Sequence, residues 1–72
     1  NPANDKLEIS MAMEISKGDY NILNIQGNVL MSGHFTDNRQ IELDISHLPS
    51  GMYFVSILKD DSILFVKKFV KQ

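Results

Sequence analysis

Every odd residue from Leu7 to Ile15 is apolar, reading Leu7, Ile9, Met11, Met13 and Ile15, while Lys6, Glu8, Ser10, Ala12, Glu14 and Ser16 fill the even positions. A period of two lines those apolar side chains along one face of an extended strand and would scatter them around a helix. The run is long for a single strand, so a bend near Ala12 or a change of sheet is expected. Gln40 to Ile45 repeats the pattern, with Ile41, Leu43 and Ile45 on one face and Gln40, Glu42 and Asp44 on the other. Met52 to Leu58 is apolar at every position except Ser56. That serine marks its parity as the wetter face and assigns Tyr53, Val55 and Ile57 to the core. No stretch of useful length carries a helical period.

Turn chemistry divides the remaining chain. Ser16-Lys17-Gly18-Asp19 reads as a turn in which Gly18 can take positive φ, and Tyr20 to Ile25 follows as a strand rich in β-formers. Asn24-Ile25-Gln26-Gly27 has the favoured ends of a type I turn, with Gly27 supplying the left-handed bulge that returns the chain into Val29 to Met31. Gly33 to Asn38 is polar and loop-like, with Phe35 as its one large apolar residue. Leu48-Pro49-Ser50-Gly51 places proline second and glycine fourth in a turn. Lys59-Asp60-Asp61-Ser62 is a tight hairpin loop before a last strand, Ile63 to Val70. These segments predict an all-β domain over residues 1–72, a small antiparallel immunoglobulin-like β-sandwich of about six or seven strands.

Composition limits what such a domain can do. With 72 residues, the chain buries a small core and has little material for a catalytic cleft. It has no cysteine, which excludes disulfides, thiol chemistry and thiolate metal sites. No apolar run approaches a membrane-spanning helix, and the amino end does not resemble a signal peptide. Asn1 in place of methionine suggests a piece of a longer precursor. The formal charge is −2, made of nine acids against four bases up to Asp61 and then Lys67, Lys68 and Lys71 alone. Three lysines on an acidic body are too few for a nucleic-acid footprint, so no nucleic-acid partner is expected.

No catalytic, cofactor or metal constellation emerges. His34 and His47 flank predicted strands and read as exposed loop residues, two distant ligands where zinc needs three or four. Asp60-Asp61 lacks the alternating acidic spacing of a calcium loop. Glu42 and Asp44 are explained as the solvated face of their strand. With no strand-to-helix elbow, none of the serines has the setting of a hydrolase nucleophile, and the four glycines stand singly at turns rather than in a phosphate loop. Two features are left over. Met52, Phe54 and Leu58 form a second apolar face, to be covered either by a loop or second sheet or by a partner. Lys67, Lys68 and Lys71 either protect an edge strand from aggregation or form a strip to be recognised.

Four stretches in order resemble a known family. Asn1-Pro2-Ala3-Asn4-Asp5-Lys6-Leu7-Glu8-Ile9 looks like the opening of the type A carboxy-terminal sorting domains of the type IX (Por) secretion system of Bacteroidetes. Tyr20 to Asn24 with Gly27 resembles the family's strand and turn glycine. Ile45 to Val55, containing Leu48-Pro49-Ser50-Gly51-Met52-Tyr53, is similar to its Leu-Pro-x-Gly-x-Tyr motif. Lys67-Lys68-Phe69-Val70-Lys71-Gln72 looks like its basic-apolar end. The family's preceding Tyr-Pro is absent, which leaves any cleavage site outside this sequence.

The resemblance implies a non-catalytic export signal fused to an upstream cargo. The signal would be read by an outer-membrane translocon, and the cargo released or anchored at the cell surface by a sortase-like peptidase. Gly51, Tyr53, Lys67, Lys68, Phe69, Val70 and Lys71 are the candidate signal residues it implies. The competing readings are an accessory sandwich that binds carbohydrate and a structural spacer. The first is disfavoured by the absence of tryptophan. Excision from a cargo would also bare apolar surface and a strand edge, so a homodimer of the isolated domain is expected.

Overall fold

A computed structural model describes residues 2–3 and 5–72. The chain forms β1 (Pro2–Ala3), β2 (Lys6–Asn24), β3 (Val29–Asp44), β4 (Gly51–Lys59) and β5 (Ser62–Lys71). They make one sheet in the order β1-β5-β4-β2-β3. The four long strands pair antiparallel and the short β1 joins β5 in parallel. There is no helix among the described residues. The expected six or seven strands are therefore corrected to four long strands and one short one.

The overcount has a definite cause. Ser16 to Asp19 is not a turn, and Gly33 to Asn38 is not a loop. Both lie in the continuous β2–β3 hairpin, where Gly18 pairs with Phe35, Asp19 with His34 and Tyr20 with Gly33. A Cβ at Gly18 would collide with the Phe35 ring, and one at Gly33 would collide with the Tyr20 ring. Each glycine makes room for the aromatic ring directly across from it. This need for space, rather than for turn geometry, explains both glycines.

The bend expected near Ala12 is present. Pairing passes from Ser10↔Gln40 to Ile15↔Asn38, so residues 11–14 of β2 face the single Arg39 of β3. Such a bulge bends the strand pair. Arg39 Nη2 donates to the Ala12 carbonyl at 3.3 Å and ties the two sides of the irregularity together. Beyond the bend, the inward parity of β2 changes. Leu7 and Ile9 are buried before it and Ile15 and Ile22 after it, whereas on the bulge itself Met11 is buried and Met13 is 68% exposed.

One cluster contains the inward side chains of both hairpin arms and of β4: Leu7, Ile9, Ile41, Leu43 and Ile45 join Ile22, Tyr53, Val55 and Ile57. The assignments of Ile41, Leu43 and Ile45, and of Tyr53, Val55 and Ile57, to the core are thus met. Ser56 does point to the opposite face, but it lies in the middle of the sheet and is buried there.

Two turns match their sequence signals. Gly27 N–H donates to the Asn24 carbonyl at 3.0 Å, Gly27 has φ +88°, and Asn24 Oδ1 accepts from the amides of Gln26 and Asn28 at 3.0 Å each. The β4–β5 hairpin closes through Lys59↔Ser62, with φ +52° at Asp60 and +65° at Asp61. Two successive left-handed residues define a type I′ turn, for which Asn-Gly is preferred. Replacing Asp60-Asp61 by Asn-Gly should therefore raise stability by about 1 kcal/mol, read as a higher urea midpoint at unchanged slope. The third turn is displaced: Leu48 N–H donates to the Ile45 carbonyl at 3.0 Å, so the hydrogen-bonded turn is Ile45–Leu48 instead of Leu48–Gly51. Asp44 Oδ1 accepts from the Ser46 amide at 3.0 Å, and that bond holds the Asp44 carboxyl below its ordinary pKa.

Candidate recognition surface

The Leu-Pro-Ser-Gly-Met-Tyr stretch and the carboxyl end meet at one corner of the sheet. Gly51 pairs with Lys71 and Tyr53 with Phe69. Gly51 has φ +154°, a backbone conformation open to glycine and costly for other residues. The Tyr53 and Phe69 rings stack with centroids 5.6 Å apart. Tyr53 Oη donates to the Pro49 carbonyl at 2.5 Å, and Lys71 Nζ donates to the Leu48 carbonyl at 3.1 Å. Two side chains thus satisfy consecutive carbonyls of an irregular segment that forms no ladder of its own.

This placement divides the candidate signal residues. Gly51 shapes the entry to β4, while Tyr53, Phe69 and Lys71 hold the corner from inside. Lys71 is only 8% exposed, so the expected strip of three surface lysines is reduced to two. Lys67 lies opposite Val55 and Lys68 opposite Phe54, so these two exposed lysines project on opposite faces of the sheet. The three lysines are the basic end that the sequence shows, but only Lys67 and Lys68 of them are exposed. Position in the register decides which of them meets solvent.

The outer face, opposite the core, carries the apolar surface signalled by Met52, Phe54 and Leu58. Met52 is 43% exposed, and Phe54 and Leu58 are half-buried. This face therefore meets solvent at Met52 and is only partly shielded at Phe54 and Leu58. Across the sheet, Phe54 is flanked by Leu23 and Lys68, Met52 pairs with Val70, and Ser56 lies between Asn21 and Val66. Val66 and Val70 are both exposed. The result is an apolar patch with Lys68 between two valines on β5. Sequence parity identified the β4 part; the contributions of Leu23, Val66 and Val70 depend on which strands are neighbours.

The histidines are exposed, but His34 sits within β3 rather than in a loop. Its Nδ1 is 2.6 Å from Asp19 Oδ1, the cross-strand partner. Shallow depressions near it are lined by Asp19, Tyr20, His34 and Asp61. No group of three or more His, Cys, Asp or Glu among the described residues is arranged to hold a metal ion.

A family model described as the secretion system C-terminal sorting domain matches residues 1–72, the whole chain. The chain belongs to this family. A search of curated proteins found no match. Membership makes the domain a type IX secretion signal, from a family of non-catalytic domains, and implies a fused cargo. It implies recognition by the secretion machinery and export across the outer membrane, to the surface or the medium. The sorting domain's corner motif and terminal strand are therefore parts of one folded unit.

Proposed function

We propose that this sorting domain is a non-catalytic address whose translocon-facing surface is the outer sheet face around Phe54, Val66, Lys68 and Val70. The observation carrying this reading is that apolar face: it is left open in a chain that belongs to a family of export signals. Soluble domains of this size seldom leave contiguous apolar surface without a partner for it. In the same reading, the bent β2–β3 arm supplies the second layer of a small immunoglobulin-like sandwich. Gly51, Tyr53, Phe69 and Lys71 act by holding β5 in place. Lys68 and Val70 touch the translocon, and Lys67, on the opposite face, contributes little. The cargo is then released or anchored by a sortase-like peptidase acting upstream of the domain. Dimerisation is a by-product of isolating the domain from its cargo.

Fusion to a periplasmically exported reporter tests the surface directly. Val66→Thr with Val70→Thr keeps branched side chains on β5 while removing apolar surface, so the variant should remain folded by circular dichroism. Its export should fall about tenfold, the equivalent of roughly 1.4 kcal/mol of lost recognition. Lys68→Glu should also retain reporter in the periplasm, and Lys67→Glu should not. Equal export by all three folded variants would eliminate this face as the one recognised. An accessory carbohydrate-binding module would instead leave export unchanged on deletion of the whole domain.

A further inference from the structure

We infer that the chain leading into this domain from the cargo continues β1 as a strand along the open edge of β5. The inference rests on the reading above, in which a cargo precedes the domain. β5 pairs with β4 along its length, yet on its other side only Val70 and Lys71 have a strand partner, provided by Pro2 and Ala3 of β1. From Ser62 to Phe69 that side of the strand is unpaired among the described residues. Ile63, Leu64 and Val66 in this stretch are 62%, 49% and 52% exposed. An exposed, largely apolar edge of this length, with only Lys67 and Lys68 charged, is a template for aggregation unless it is covered.

Direction and register select the cover. β1 runs parallel to β5, so a chain traced backward from Pro2 moves from Val70 toward Ile63 without a crossover or a turn. Each residue further upstream falls one residue earlier on β5. The second residue ahead of Asn1 therefore comes opposite Lys67, and the fourth opposite Phe65. Near Phe65, an apolar groove of about 350 Å³ lies between the β2 bulge and β5, lined by Met11, Met13, Ile15, Leu64 and Phe65. An apolar side chain at that fourth position would seat in it, and a polar or acidic one at the second position would meet Lys67. Tethering favours this segment over any free strand, because a short linker gives an effective concentration of order millimolar. Release or cleavage of the cargo would then begin by unpairing this strand from the sorting domain.

The test uses the purified precursor and does not depend on export. Hydrogen exchange of peptides spanning β5 is compared with that of a variant carrying proline at both the third and fourth residues ahead of Asn1. Consecutive prolines remove an inward-facing donor whichever parity the strand adopts. Exchange in β5 should accelerate about tenfold while peptides from β2 and β4 stay unchanged. Cysteines placed at the second residue ahead of Asn1 and by Lys67→Cys should form an intramolecular disulfide, since directly opposed strand residues lie within bridging distance. Unchanged β5 exchange, or a disulfide that is absent or forms only between two molecules, would overturn the inference. If the prolines loosen the whole domain, the disulfide decides. Loss of export with the strand intact would count against the proposed address alone.

Discussion

Removal of Phe69 to Gln72 should unfold the domain rather than silence a signal on a folded one. Phe69 is 2% exposed and stacks on Tyr53, and Lys71 bonds the Leu48 carbonyl from a buried position. Truncating a buried phenylalanine alone costs about 3 to 5 kcal/mol, while a domain of this length has roughly 4 to 10 kcal/mol in total. Losing the end of β5 also leaves the Leu48 carbonyl without its partner. The expected result is a chain with no cooperative urea transition and a reporter trapped in the periplasm. Lys71→Met separates the two roles: it retains an aliphatic stem, forfeits one buried hydrogen bond and should cost about 1 to 3 kcal/mol while leaving a folded domain. A truncated domain that still unfolds cooperatively within about 1 kcal/mol of its parent would show that the corner does not depend on its terminal residues.

The same corner shows where sequence reasoning stops. Alternation located the inward faces of Ile41 to Ile45 and of Tyr53 to Ile57, because each face is set by one strand's own pleat. Turn signals located Gly27 and the Asp60-Asp61 hairpin, since their φ requirements are local. Lys71 reads as a surface charge until the fold brings Leu48 to its ammonium group, and Lys67 and Lys68 read as one strip until the pleat separates them. Ser16 to Asp19 has the composition of a turn, yet long-range pairing with β3 carries β2 straight through it. The family resemblance marked Gly51 and Tyr53 as important without giving a reason. Geometry supplies one, in the positive φ of Gly51 and the bond from Tyr53 to Pro49.

Gly18 offers the sharpest check on that long-range pairing. Its absent side chain is occupied by the Phe35 ring of the facing strand, and the ring is buried there at 9% exposure. Because no positive φ is found at Gly18, a side chain meets no backbone obstacle, and any cost must come from the ring. Gly18→Ala should force Phe35 out of its place, at the cost of overpacking or of exposing the ring, about 2 to 3 kcal/mol. In a Phe35→Ala background the same substitution should be neutral or stabilising by about 0.5 kcal/mol, since alanine restricts the unfolded chain more than glycine does. The coupling between the two sites should therefore be about 2 kcal/mol or more, well above the additivity error of independent positions. Should Gly18→Ala cost the same in both backgrounds, the glycine would be needed for its backbone after all, and the turn that its sequence context suggests would regain its claim.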